Sequence, residues 1–138
     1  MTAARHIMTP DPALLSAEDN LRAAAHRMQE LGVDSMPICD SEGSLLAMLS
    51  ERQIARHVLA GELDAEETNI GELRGGEPIS ILPDDSAEGL INIMIDNRLR
   101  RLPVLDGPRL IGMVSLASAA EAMPEDDIGL VIEALAIP

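Results

Sequence analysis

The 138-residue chain has no Phe, Tyr or Trp, no Lys, and a single cysteine. Each absence closes a route. Without aromatic rings there is no platform for unpaired bases to stack on, so single-stranded nucleic-acid binding of that kind is excluded. Any bound base would lie against aliphatic side chains. The lone cysteine, Cys39, forms no intrachain disulfide, which fits a reducing, cytoplasmic setting. No apolar run approaches the ~20 residues of a membrane span, and the opening MTAARHIMTP lacks the apolar stretch of a signal peptide. Positive charge is scarce: ten Arg stand against 24 acidic residues, a formal charge of −14. Such a field repels nucleic acid and anionic membrane, so neither is an expected partner, and an anionic small ligand needs a local arginine cluster. Aliphatic residues, in contrast, are plentiful. Hydrophobic positions make up 46%, enough for a core of Leu, Ile, Val, Ala and Met.

The chain repeats itself. Shifting residues 12–40 by 66 brings Pro12, Asp19, Met28, Pro37 and Asp40 onto Pro78, Asp85, Met94, Pro103 and Asp106. One residue is lost in the following turn. At an offset of 65, Leu45, Met48 and Ser50 then meet Leu110, Met113 and Ser115. Each unit reads as strand (ALLS or ISIL), helix, strand (SMPIC or RLPVL), tight turn (DSEG or DGP), strand (LLAMLS or RLIGMVS), helix. SAEDN and PDDSAE supply oxygens for the first helix start. Leu21, Ala24, Ala25, Met28 and Leu31 make one apolar stripe, and Ala87, Leu90, Ile91 and Met94 make its partner. Gly32 is a natural helix stop, where the second unit has Asn97-Arg98. The second helices are expected from Glu51 and Leu116. A polar link includes a short helix at residues 70–73. A C-terminal helix follows Pro124, with Glu125, Asp126 and Asp127 in its first turn and an apolar stripe through Ile128, Val131, Ile132 and Leu135. Packing on the protein's own body is the main expectation for that stripe, and a dimer contact the alternative. The expected boundaries are 1–61, 62–74 (linker), 75–123 and 124–138.

A doubled β-α-β-β-α unit, with an apolar-Pro-apolar-apolar-Asp run before each turn, resembles a pair of CBS domains (a Bateman module). The opening ARHIMTPDP fits as well. MPICD and AGELDAEETNIGEL further resemble the small stand-alone CBS-pair proteins that include the actinobacterial hypoxic-response proteins. The resemblance implies an α+β (α/β) fold, two units packed sheet to sheet about a pseudo-two-fold axis with two clefts. It also implies a homodimer, an adenosine ligand such as AMP, ADP, ATP or S-adenosylmethionine, and an unidentified effector protein. No enzymatic role or cofactor is expected.

Arg98, Arg100 and Arg101 crowd into one short stretch of this acidic chain. In the family, basic residues at the positions of Arg100 and Arg101 reach a ligand phosphate, and an Arg fork suits that task. Exposed arginines paired with nearby acids are the plain alternative. Arg98 reads as a helix-end residue. Asp34 and Ser35 hold the matching places in the first unit, so the two sites are not equivalent. Ser50 and Ser115 match the family's hydroxyl at a helix start, where free N–H groups favour anions. Three residues on, the family often has a ribose-binding Asp. Here Gln53 and Ser118 stand there, which weakens the nucleotide expectation and favours an alternative: an interaction module that has lost nucleotide binding and acts through a partner or a metal. Arg52 is a further phosphate candidate, and Ile79, Ser80, Leu102 and Pro103 are candidates for a base pocket or plain core. His6, His26 and His57 show no metal-ligand spacing, so no metal site is assigned. No catalytic motif is present. Asp84-Asp85 and Asp126-Asp127 read as capping acids, Cys39 as a small core residue, and Met28, Met36, Met48, Met94 and Met113 as core fillers.

Overall fold

The computed structural model describes residues 2–61, 64–73, 77–124 and 128–137, with nothing to say of the Ile128 side chain. The expected acidic first turn at Glu125, Asp126 and Asp127 therefore lies outside the described residues. Two compact units emerge, Ala13–Pro78 (the first unit) and Met1–Pro12 with Ile79–Pro138 (the second unit). The N-terminal segment, grouped above with the first repeat, is thus built into the second.

In the first unit, β2 (Leu15–Ser16) runs parallel to β3 (Ser35–Cys39), which pairs antiparallel with β4 (Leu45–Ser50). Helix α2 (Leu21–Leu31) and α3 (Glu51–Leu59) complete the repeat, followed by a 3₁₀ turn at Ile70–Leu73. In the second unit, β5 (Arg101–Asp106) pairs with β6 (Arg109–Ser115), whose other edge carries β1 (Thr9–Pro10). Its helices are α1 (Ala4–Ile7), α4 (Ala87–Asn97), α5 (Leu116–Glu121) and α6 (Ile128–Leu135). α1 and β1 were not expected from the sequence.

Local chemistry sets the helix ends. Asn20 and Ser86 accept from the backbone N–H groups of Ala23 and Gly89, closing the starts of α2 and α4. α2 stops at Gly32 with φ 67°, and α4 stops at Arg98 in the same left-handed conformation, φ 54°. The apolar stripes face inward. Leu21, Ala24 and Met28 are buried with Met36, Ile38 and Leu49, whereas Leu31 is 48% exposed and lies off the core. Leu90, Ile91 and Met94 are buried with Leu102, Val104 and Val114. Of the five methionines read as fillers, Met28, Met36 and Met94 are buried, and Met48 and Met113 are half-buried.

Two expected strands are shorter than the sequence suggested. ALLS contributes only Leu15–Ser16, and ISIL contributes a single parallel bridge, Ile81 with Val104. The cause is proline. Ile81 donates to the Pro103 carbonyl and accepts from Leu105 N–H. Extending the ladder towards Ile79 would need an N–H from Pro103, and extending it the other way would need one from Pro83; neither has one. Pro37 blocks the first unit on the same side, but Ala17 replaces Pro83 there, so β2 reaches Ser16.

Candidate functional site

The residues of interest gather where the third strand of each repeat ends in a helix. In the second unit, the ladder puts Arg101 directly opposite Ser115, and Pro103 opposite Met113. Directly opposed residues share a face, as do alternate residues along a strand. Arg101, Pro103, Met113 and Ser115 therefore share one face of the hairpin, while Leu102, Val104 and Val114 fill the core on the other. Arg101 is half-buried and engaged by its surroundings, and Pro103 is buried. The first unit sets Ser35 opposite Ser50 in the same register, with no cation at that pair.

Ser50 and Ser115 cap α3 and α5 by accepting from the N–H groups of Gln53 and Ser118, at 3.2 and 3.1 Å. The first amides of these helices are also used: Glu51 N–H donates to the Asp34 carbonyl and Leu116 N–H to the Arg100 carbonyl. The expectation of free N–H groups is corrected accordingly. Of the first three amides in each helix, only those of Arg52 and Ala117 have no partner shown among the described residues. The serine cap takes the third amide and the carbonyl at the end of the loop before the hairpin takes the first, because a helix start satisfies its own N–H groups locally.

Gln53 and Ser118 belong to the same caps. The Gln53 side-chain oxygen accepts from Ser50 N–H at 3.0 Å, closing a reciprocal capping box. Ser118 and Ser115 share a hydroxyl–hydroxyl bond of 3.0 Å. Arg52 is exposed on the first turn of α3. Ile79 and Ser80 are exposed and lie before the Ile81 bridge, outside any strand, so as placed they are not strand core.

Arg100 is the unexpected member. Its guanidinium Nη1 donates to the carbonyl oxygen of Ile137, 37 residues along, at 2.9 Å. No sequence signal marked this contact, since the acceptor is a backbone atom beyond the C-terminal helix. Arg98 ends α4, as expected.

The remaining candidates are dispersed. His26 Nδ1 sits 2.8 Å from Glu30 Oε1 on the exposed side of α2. Asp84 pairs with Arg5, and Asp85 accepts from Leu82 N–H at 2.8 Å, so both fix the approach to α4, with Ser86 as its cap. Cys39 is buried, and burial followed by the neighbouring Asp40 charge raises its pKa above the ordinary 9.0. Among the described residues, no three His, Cys, Asp or Glu side chains are grouped to hold a metal ion, and no helix is long and apolar enough to cross a membrane. An open depression along α2, lined by Asn20, Arg22, Ala23, His26, Arg27 and Glu30, includes none of the expected ligand residues.

Two repeats with this hairpin-to-helix junction define a class, the CBS pair. The model of the CBS domain matches residues 4–60 and 70–125, and the chain belongs to that family. It is 33% identical over 138 residues to Hypoxic response protein 1 of Mycobacterium tuberculosis, covering 100% of this chain and 96% of the relative. The crystal structure of Hypoxic Response Protein I with two coordinated zinc ions superposes with a TM-score of 0.80 at 32% identity, over 89% of this chain and all (100%) of that one. CBSX2, solved in complex with AMP, shares the fold at a TM-score of 0.77 and 19% identity, over 88% of this chain and 96% of that one.

Proposed function

We propose that the chain is a non-enzymatic regulatory module that binds an adenosine-containing nucleotide at the β5–β6–α5 junction of its second unit. The observation that carries this reading is the ladder register that sets Arg101 against Ser115, with Arg100 next in sequence. A guanidinium opposite a hydroxyl suits a phosphate, with a second on the next residue within reach through its flexible side chain, and the pair offsets locally a chain charge of −14. Arg101 is the primary phosphate group, Arg100 and Ser115 assist, and Ser118 faces the ribose. Pro103 supplies apolar surface, and Ile79 and Ser80 border the base. Ser50, Arg52 and Gln53 offer a weaker second site. CBSX2, which binds AMP, lends support through the shared fold. The module acts as a homodimer on an effector protein. The likeness to Hypoxic response protein 1 supports a role in a stress response.

A second reading is an interaction module without nucleotide. It is favoured by Gln53 and Ser118, whose polar groups already serve the caps. That module would act through a protein partner or a metal: Hypoxic Response Protein I coordinates zinc, although among the described residues of this chain no three ligands are grouped.

Thermal unfolding followed by circular dichroism at 222 nm separates these readings. AMP, ADP, ATP, S-adenosylmethionine and zinc are added singly to wild type and to the Arg100→Ala/Arg101→Ala variant. A ligand at ~100 times its Kd adds about 2.7 kcal/mol, a rise of several degrees. A rise with one nucleotide that is lost in the variant supports the nucleotide reading; no rise with any nucleotide rejects it. Light scattering tests the dimer.

A further inference from the structure

We propose that Arg100 latches the protein's own C-terminal helix and that an anion taking the guanidinium releases it; this rests on the nucleotide reading above. The side chain holds the Ile137 carbonyl just beyond α6, whose last turn has no basic residue of its own. The cation favoured at a helix C-terminus is therefore supplied from another element. The docked face of α6 is small. Ala134 and Ile137 are buried and Leu130 packs beside them, while Ile132 and Leu135 are 62% and 59% exposed. A two-turn helix has little stability apart from its docking, so one polar contact weighs heavily on its position.

The same residue is fixed and free at once. Its carbonyl accepts Leu116 N–H at 2.8 Å, anchoring the backbone at the start of α5, whereas only the flexible side chain spans to α6. A neutral carbonyl offers one hydrogen bond, but a phosphate offers a charged, bidentate partner, so the exchange favours the anion. Ligand binding then removes the polar tie at the end of α6. The device is one-sided, because Asp34 stands at the matching place in the first unit.

Hydrogen exchange over residues 128–137, read by mass spectrometry, tests the latch, with AMP and inorganic pyrophosphate as probes and calorimetry for binding. Arg100→Ala should speed exchange there without ligand, and AMP should do the same to wild type. Ala134→Gln undocks α6 by bulk while leaving Arg100 in place. If the docked state is about nine-tenths populated, it should tighten AMP roughly tenfold. Circular dichroism checks that both variants fold. Unchanged exchange in Arg100→Ala overturns the latch, and AMP binding with no release of α6 overturns its gating while leaving the nucleotide reading intact. Failure of both probes to bind overturns the nucleotide reading and the release step together.

Discussion

The two units share one backbone scheme and differ in what they hang on it. Ala4 N–H donates to the Asp85 carbonyl at 2.8 Å, and Ile70 N–H, 66 residues on, donates to the Asp19 carbonyl at 2.8 Å. Arg5 to Pro83 and Gly71 to Ala17 repeat at 3.0 Å. Asp85 and Asp19 each accept from the residue three before them, at 2.8 and 2.9 Å. Thus α1 and the 3₁₀ turn at Ile70–Leu73 are counterparts. The lesson is that hydrogen-bond demands of the backbone fix the common frame, since every buried N–H and C=O needs a partner. Side chains outside the core escape that demand, and at the hairpin-to-helix junction the units diverge: Arg100 against Asp34, Arg101 against Ser35.

The divergence can be broken or sharpened by substitution. The largest effect is expected in the core. Leu90 is fully buried where the first unit has Ala24. Leu90→Ala should cost about 2–5 kcal/mol by leaving a cavity, and Ala24→Leu about 1–3 kcal/mol by overpacking, both read from urea unfolding. Next is Gly71, the counterpart of Arg5. A Cβ there would meet the Ala17 carbonyl oxygen at 2.9 Å and its Cβ at 3.0 Å. Gly71→Ala should cost about 1–3 kcal/mol. Arg5→Ala, which removes only the exposed pair with Asp84, should cost under about 1 kcal/mol.

Under the proposed nucleotide reading, Ser118→Asp supplies a carboxylate for the ribose and should tighten AMP about tenfold in calorimetry, roughly 1.4 kcal/mol. Gln53→Asp should do less, because its junction lacks the arginine pair. The left-handed helix ends give a smaller test. Gly32 has open space around it at φ 67°, so Gly32→Ala should lose about 1 kcal/mol for conformation alone. Arg98→Gly should be neutral or slightly stabilising in thermal unfolding. Smallest is a pH effect. With no Tyr or Lys, Cys39 is the one side chain expected to titrate between pH 9 and the arginines. Its folded pKa lies above 9.0 because the buried thiolate is penalised. The unfolded chain therefore loses its proton first, so stability holds below about pH 9 and falls as pH rises towards the folded pKa. Cys39→Val should flatten that decline in unfolding midpoints.

Much of this was legible beforehand. The helices α2 to α5, both hairpins and the 3₁₀ turn announced themselves through apolar spacing and through Asn20, Gly32, Ser50, Ser86 and Ser115. Those are local signals: a cap or a turn is decided within four residues of sequence. The shortened first strands were in principle readable too, since Pro37, Pro83 and Pro103 lack the N–H a ladder needs. Which prolines faced which carbonyls, however, depended on the parallel pairing.

By itself, the sequence determined the doubled repeat, the elements of each copy, an aliphatic core, and the chemical asymmetry between an arginine pair and Asp34-Ser35. Only the tertiary structure decided that the N-terminal segment joins the second unit. It also decided that Gln53 and Ser118 bond into their own helix caps, and that Arg100 reaches the Ile137 carbonyl. Those outcomes hang on partners distant in the chain or on competition for one polar group. A residue's type states what bonds it is able to make; its surroundings in the fold choose which bond forms.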